Sequence, residues 1–307
     1  MSNPFGNAYE QQVRLLLEVL PIISRYPQFA LKGGTAINLF MRNFPRLSVD
    51  IDLAYLPIAS RSDSVADINS ALRQIALAIP NVIPNAIVKA TKPFDSGKDI
   101  KILVEMKNIA IKIEPNYILR GAVFPAATRS LSRDCAENFG VSISANMVST
   151  EDLYAGKICA ALDRQHPRDL FDIHFLLQNE GITTGIRQAF LVYLMSHNRP
   201  MNELLNPNWQ DLTKIFETEF LGMTKEVVTR DDLKAAGTRL VDTLRRDLTD
   251  SERKFLIDFK NGNPNWEKFF KPDVQSFPGI LWKQKNLNLM PFEKRRLAVQ
   301  KLEAVLF

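Results

Sequence analysis

The chain has 307 residues, 46% of them hydrophobic, and a formal net charge of +5, so it can bury a sizeable core and is long enough for two lobes. Its two cysteines, Cys135 and Cys159, suggest no disulfide framework and lack zinc-site spacing, which indicates a reducing compartment. The first residues show no basic region followed by an apolar stretch, and no apolar run is long enough to span a bilayer. We therefore expect a cytoplasmic protein with no signal peptide and no membrane partner.

Apolar residues at helical spacing predict a packing helix from Asn7 to Arg25. A short strand over 29–31, a glycine turn over 32–35 and a helix over 36–41 are predicted to follow. A helix that starts directly after a glycine turn presents free backbone amides, and these bind anions.

The turn has the composition of a phosphate-binding loop. Gly33 and Gly34 let backbone amides approach a triphosphate, Thr35 adds a hydroxyl and Lys32 adds a charge. A Gly-Gly-Thr sequence in isolation is more often only a tight turn. Its significance depends on the segment that follows.

That segment carries two carboxylates, Asp50 and Asp52, within an alternating apolar run. A strand would bury the apolar side chains on one face and project both carboxylates from the other. Such a pair fits Mg²⁺, and a two-ion site activates the attacking oxygen while it stabilises the leaving one. An isolated Asp-x-Asp pair is more often a solvated strand face, but together with the glycine turn it indicates nucleotidyl transfer. The apolar positions of the run are Leu47, Val49, Ile51 and Leu53.

The rest of the chain predicts a mixed sheet flanked by helices, followed by a helical half. Pro115 is expected to end the last strand, Ser149 or Thr150 can cap the first helix of the second half, and Pro167 fits a first helical position. The predicted elements are a helix over 65–79, strands over 86–91, 100–106 and 109–115, and turn-rich stretches over 198–208 and 261–265.

Three stretches carry a family resemblance. The first combines Lys-Gly-Gly-Thr-Ala at 32–36 with Arg-x-Ser-x-Asp-Ile-Asp-Leu at 46–53. The second is Glu-Asp-Leu-Tyr-Ala-Gly-Lys-Ile-Cys-Ala-Ala-Leu-Asp-Arg at 151–164 with Arg-Asp-Leu-Phe-Asp at 168–172, and the third lies within 248–266. In these motifs the chain resembles the AbiEii/AbiGii family of nucleotidyltransferase toxins, in the DNA polymerase β-like superfamily, over roughly residues 10 to 270.

The resemblance implies an α+β fold in which a polymerase β-like nucleotidyltransferase core domain, 1–147, with a small mixed sheet is followed by a mainly helical C-terminal domain, 148–307. It also implies a reaction that moves a nucleoside monophosphate from a nucleoside triphosphate (NTP) to an acceptor hydroxyl, with Mg²⁺ in a two-ion site on Asp50 and Asp52. The nucleotide-binding residues implied by the resemblance are Lys32, Gly33, Gly34, Thr35, Arg46, Ser48 and Asp169.

Further catalytic roles also come from the resemblance. Glu114 would be the base that deprotonates the acceptor hydroxyl, although an exposed glutamate at a strand end fits the sequence equally well. Lys157 would meet the charge on the leaving pyrophosphate, whereas a lone lysine in an apolar helix can also extend to water. By its spacing from Lys157, Asp172 is favoured over Asp169 as the acid that orients Lys157 or Arg168.

The resemblance implies the toxin of a toxin–antitoxin pair, with an antitoxin from a neighbouring gene. The implied acceptor is the 3′ end of tRNA, whose extension blocks aminoacylation. Transfer to a protein or to a small molecule such as an antibiotic is the alternative reaction, and a nucleotide-binding regulatory module without turnover is the alternative class.

The basic C-terminal segment agrees with an RNA partner. Residues 251–307 hold 11 Lys and Arg against 6 Asp and Glu, so this segment accounts for the net charge. Interleaved aromatic residues predict base stacking, and core packing is the alternative for each of them. These aromatic residues are Trp266, Phe269, Phe270 and Trp282.

Overall fold

The computed structural model describes residues 7–307, so the prediction about the start of the chain, residues 1–6, lies outside the described residues. The chain forms two compact units. Unit 1 comprises the described residues up to Ser149 together with Leu221–Val227, and unit 2 comprises Thr150–Phe220 and Val228–Phe307. The division into independent domains at 1–147 and 148–307 stays a prediction.

Unit 1 is built on a seven-stranded mixed sheet with the strand order β3-β4-β5-β2-β1-β7-β6. Strand β2 pairs antiparallel with β1 and parallel with β5, and β1 pairs parallel with β7. This mixed sheet confirms the predicted fold class. The strands are β1 Phe29–Lys32, β2 Ile51–Tyr55, β3 Ile87–Ala90, β4 Ile102–Met106, β5 Ile109–Arg120, β6 Ala127–Ser130 and β7 Ser144–Met147.

Helices cover one face of this sheet. Helices α1 and α3 pack against each other and against β5. Alternate side chains of β4 and β5, at Val104, Ile111 and Ile113, are fully buried, which stabilises this part of the sheet. The helices of unit 1 are α1 Asn7–Ile23, α2 Gly33–Thr35, which continues as a π-helical turn over Ala36–Met41, α3 Arg61–Val82 and α4 Arg133–Phe139.

Two strand predictions are corrected by the structure. Strand β2 starts at Ile51, so only the second half of the alternating run is a strand, and Asp50 lies immediately before it. Strand β5 does not end at Pro115 but continues to Arg120, and its pairing with β2 becomes irregular just beyond the proline. Proline lacks an amide donor, and a break in the register accommodates it.

Strands β6 and β7 have no counterpart in the sequence prediction. Their sequences are Ala-Thr-Arg-Ser and Ser-Ala-Asn-Met, which lack the β-branched and aromatic alternation typical of strands. They are strands because they pair with each other and because β7 pairs with β1.

Unit 2 is helical, as predicted. Pro167 occupies the first turn of α6, and Thr229 and Thr249 form capping boxes at α10 and α11. Helix α8 lies inside the stretch 198–208, where the sequence predicts turns. The helices are α5 Thr150–Arg164, α6 Pro167–Gln178, α7 Thr184–Ser196, α8 Met201–Leu205, α9 Thr213–Glu219, α10 Arg230–Asp247, α11 Asp250–Asn261, α12 Pro278–Asn288 and α13 Phe292–Leu306.

The aromatic side chains of the basic C-terminal segment largely pack against each other. Phe269 is buried and stacks on Phe255, with ring centroids 4.3 Å apart. Trp266 packs edge to face against Phe255, with ring centroids 5.2 Å apart. The rings of Phe270 and Phe269 are also in contact, with centroids 4.7 Å apart. Trp282 differs, because 48% of it is exposed. Trp266 and Phe269 therefore have a packing role, which the sequence analysis left open as the alternative to base stacking.

Candidate active site

The candidate site in unit 1 starts where β1 meets α2. Lys32 is extended, and Gly33 has a φ of +75°, a left-handed conformation that glycine adopts without steric cost. A Cβ on Gly33 would also collide with the Asp52 carboxylate, whose Cγ lies 2.9 Å from the position of that Cβ. Because glycine has no Cβ, Gly33 permits both the left-handed turn and the direct contact between its backbone and the Asp52 carboxylate.

Gly34 is confined by the segment that leads to the acids. A Cβ on Gly34 would lie 2.7 Å from both Arg46 Nη2 and Ser48 Oγ. Asn38 Nδ2 donates to the Gly34 carbonyl at 2.8 Å, one helical turn further on. Arg46 is itself buried and donates from Nη1 to the Leu47 carbonyl at 2.7 Å. Any side chain on Gly34 would displace Arg46 or Ser48.

Thr35 ties α2 to the acid-bearing segment. Its hydroxyl donates to the Asp50 carbonyl at 2.6 Å and lies 3.2 Å from Ser48 Oγ. The residue is fully buried, so the hydroxyl that the sequence analysis directs at a triphosphate is engaged with protein atoms. Thr35 thereby holds the backbone of Asp50 in place.

Tyr9 of α1 is a residue of this site that the sequence analysis misses. Its hydroxyl accepts from the Ser48 amide at 2.6 Å and lies 3.3 Å from the Ser48 carbonyl, to which it donates. Burial raises the pKa of Tyr9 above its ordinary value, so the phenol keeps its proton at neutral pH. No local signal marks this contact, because the two residues are 39 positions apart.

Asp52 lies between two other charged residues of the sheet. The strand register pairs it with Lys32 of β1 on one side and with Glu114 of β5 on the other. Residues paired in this way project to the same face. Glu114 Oε1 is 3.1 Å from Lys101 Nζ. Asp50, Asp52 and Glu114 are all partly exposed, so a ligand can reach their carboxylates.

The oxygen donors of this site fit a magnesium ion. Over residues 7–307, no three Asp, Glu, His or Cys side chains converge into a site that would hold a metal unaided. Mg²⁺ usually takes one or two carboxylates and completes its coordination with water and substrate phosphates. Asp50 and Asp52 would supply the two carboxylates, and the phosphates of a bound substrate would complete the coordination.

A second group of predicted residues lies in unit 2, on α5 and α6. Lys157 Nζ is 2.8 Å from Asp169 Oδ1 and 3.0 Å from Asp172 Oδ2, and all three side chains are buried. Both aspartates therefore hold Lys157, where the sequence analysis favoured one. The arginine beside them is Arg164, whose Nε is 2.6 Å from Asp169, and not Arg168. Arg164 ends the helix that carries Lys157, so the motif itself contains this partner.

Neighbouring charges set the protonation of Asp169. Burial raises its pKa, but Lys157 and Arg164 together lower it by more, so the pKa of Asp169 lies well below its ordinary value. The carboxylate is therefore ionised at neutral pH. With Asp172 included, two carboxylates lie against the cations Lys157 and Arg164.

The predicted site residues thus form two groups, one within each unit. A family model described as the nucleotidyl transferase AbiEii toxin of type IV toxin–antitoxin systems matches residues 14–277, which is most of the chain. The chain belongs to the AbiEii family. It is a nucleotidyltransferase toxin whose donor substrate is a nucleoside triphosphate, and AbiEii membership implies an antitoxin as partner.

The fold of this AbiEii chain is similar to that of MenT4, the nucleotidyltransferase toxin Rv2826c from Mycobacterium tuberculosis H37Rv. The TM-score is 0.62 at 14% sequence identity, over 98% of this chain and 96% of the other. At that identity the similarity concerns the fold. No curated protein sequence matches the chain. Between residues 7 and 307, no helix has both the length and the apolar composition needed to cross a membrane.

Proposed function

We propose that this AbiEii-family enzyme transfers a nucleoside monophosphate to the 3′-terminal hydroxyl of tRNA in a Mg²⁺-dependent reaction, and that the extended tRNA is no longer aminoacylated. One observation carries the proposal, the direct contact between the Gly33 backbone and the Asp52 carboxylate. This contact supports a site in which the triphosphate and the metal bind next to each other, as metal-assisted phosphoryl transfer requires.

In this reaction the acceptor oxygen attacks the α-phosphorus, a phosphoester bond forms, and the bond to the departing pyrophosphate breaks. The hydroxyl proton passes to Glu114, which the strand register sets next to Asp52. Backbone amides of Gly33 and Gly34 orient the triphosphate. Mg²⁺ held by Asp50 and Asp52 would stabilise the negative charge that develops on the phosphate oxygens.

The family resemblance assigns an electrostatic role to Lys157, which is to offset charge on the leaving pyrophosphate. Lys157 already balances two buried carboxylates. Arg164 pairs with Asp169 from a side chain that is 65% exposed, so it is the more accessible cation of the cluster.

The test is to incubate the purified protein with each labelled NTP, Mg²⁺ and total tRNA, and to follow the label into RNA. We expect one NTP to label tRNA, and Asp50→Asn and Asp52→Asn each to reduce the rate by at least about a hundredfold while the fold is kept. Asp95→Asn, which changes an exposed carboxylate of unit 1, is the matched control.

Two outcomes contradict the proposal. Full activity of either aspartate variant, or activity that persists with an excess of chelator, contradicts the metal mechanism. Label that enters protein or a small molecule and never enters tRNA contradicts the proposed acceptor and supports the alternative acceptors.

A further inference from the structure

The open face of the unit 1 sheet continues past the acids towards its edge strand, β3. We infer that this face binds the single-stranded end of the RNA acceptor, with Lys112 and Lys89 contacting successive backbone phosphates. The inference rests on the proposed function, because it supplies the surface along which that acceptor reaches the acids.

The strand register places the lysines and the acids on one face. Glu114 pairs with Asp52, and Lys112 lies two residues before Glu114 on the same strand, hence on the same side. Lys112 pairs with Leu103 of β4, and Leu103 pairs with Lys89 of β3. Lys112, Leu103 and Lys89 therefore form one row across three neighbouring strands.

The spacing of this row suits a nucleotide chain. Lys112 lies about 7 Å along the strand from Glu114, the proposed base. That distance matches the few covalent bonds that separate a terminal 3′ hydroxyl from the 5′ phosphate of the same nucleotide. Lys89 lies two β-strand spacings from Lys112, about 10 Å across the sheet. The next phosphates of an extended RNA chain would pass there.

The face is open along this row. Lys112 is exposed, and among residues 7–307 no side chain forms an ion pair or a hydrogen bond with it. Lys89 is 59% exposed and pairs with Glu105 at 2.6 Å, a surface contact that a phosphate can replace at little cost. Ile87, 58% exposed on the same face, and the partly exposed Leu103 offer apolar surface to a ribose or a base.

Charge favours a polyanion as the occupant. Residues 86–113, which contain β3, β4 and the first part of β5, carry six lysines against three acidic residues. The C-terminal segment is a weaker candidate for this role, because Trp266 and Phe269 are occupied in packing. A duplex does not suit the surface, since the lysines form a single row that leads to the acids.

The test compares Lys112→Gln, Lys89→Gln and the double variant with Lys98→Gln. Lys98 is an exposed lysine of the same unit, and its carbonyl accepts from Asn69 of α3, on the helical side of the sheet. We measure the KM for RNA, the equilibrium affinity for the NTP, and the salt dependence of binding to a single-stranded oligoribonucleotide.

We expect the double variant to raise the KM for RNA at least about tenfold, which corresponds to about 1.4 kcal/mol, while the affinity for the NTP stays within about twofold. The log–log salt slope should become shallower by about 0.7 for each phosphate contact that is lost. Lys112→Arg should keep the wild-type KM, because it keeps the charge, and Lys98→Gln should behave as wild type.

The outcomes separate this inference from the proposed function. One outcome is that the double variant has the same KM for RNA and the same salt slope as a wild type that labels tRNA. That result would overturn the role of Lys112 and Lys89 in RNA binding, while the proposed function would stand. If the wild type labels protein and no RNA, both are overturned. Equal losses in affinity for the NTP and for RNA would indicate a damaged active site, which also overturns the assignment of these lysines to the acceptor.

Discussion

At the scale of single residues, the buried charges of unit 2 have the largest predicted effect on stability. Lys157 lies within 3.0 Å of two buried carboxylates. Removing one member of a buried charge cluster leaves an uncompensated charge, which typically costs about 3–5 kcal/mol. Lys157 is therefore a structural residue whatever its part in catalysis.

Lys157→Ala should lower the free energy of unfolding by about 3–5 kcal/mol, measured by urea unfolding. Arg246→Ala is the matched control, and it should leave the free energy of unfolding close to that of wild type, because Arg246 pairs with Asp247 from an exposed side chain. In protein shown to be folded, Lys157→Ala should also weaken NTP binding or turnover at least about tenfold. Unchanged affinity and rate in the folded variant would leave Lys157 with the structural role alone.

The same cluster predicts a response to acid. The pKa of Asp169 is lower in the folded protein than in the unfolded chain, so its contribution to stability is complete above the unfolded value, about 3.9, and is lost as the pH falls below it. Asp169→Asn should flatten the decline in stability below about pH 4. A decline equal to that of the wild type, measured by unfolding at several pH values, would contradict the lowered pKa.

Tyr9→Phe tests the support of the nucleotide turn. The substitution removes only the hydroxyl and leaves the Ser48 amide without its acceptor, which costs about 1–3 kcal/mol. Since Ser48 also contacts Thr35, we expect a higher KM for the NTP and a smaller change in kcat. Tyr26→Phe, in the same unit, is the control. A loss of stability with an unchanged KM would show that Tyr9 does not position the turn.

At the scale of elements, a short strap formed by residues 223–225 holds the segment before the acids. The Leu47 amide donates to the Met223 carbonyl, and the Lys225 amide donates to the Pro45 carbonyl, both at 2.9 Å. The segment it holds contains Phe44 at a φ of +60°, a left-handed conformation that costs a non-glycine residue about 1–2 kcal/mol. The strap therefore helps to stabilise a strained segment next to the candidate site.

Lys225→Pro removes the amide donor of the strap and should weaken NTP binding several-fold, with faster hydrogen exchange at the Leu47 amide. Lys225→Ala keeps the backbone bond and loses only the contacts of Nζ to the Asn43 carbonyl and the Phe44 ring. Its affinity for the NTP should stay within about twofold of wild type, because the backbone hydrogen bonds that hold the segment remain. Equal behaviour of the two variants would contradict a role for the strap backbone.

At the scale of the whole molecule, the AbiEii family predicts a cellular effect. Expression of the wild-type chain should arrest bacterial growth, Asp52→Asn should abolish the arrest, and co-expression of the neighbouring gene should relieve it. Growth curves at matched expression levels provide the measurement. Harmless high-level expression of an active enzyme would argue for a small-molecule acceptor.

The sequence alone determined the fold class and the main motifs, because these depend on short-range patterns. The glycine turn, the acid pair and the helical second half each follow from residue types a few positions apart. The extent of β5 was predicted incorrectly, because a proline that usually ends a strand is tolerated where the register against β2 breaks.

Only the tertiary structure decided which distant residues meet. Strands β6 and β7 exist through pairing with neighbours that their own composition does not indicate. Tyr9 reaches Ser48 from another helix, and Lys157 has two carboxylate partners although the spacing favoured one. The row from Lys112 to Lys89 emerges only from the register of three strands. Such contacts result from packing and pairing over the whole chain, and a local pattern carries no information about which remote surface will lie against it.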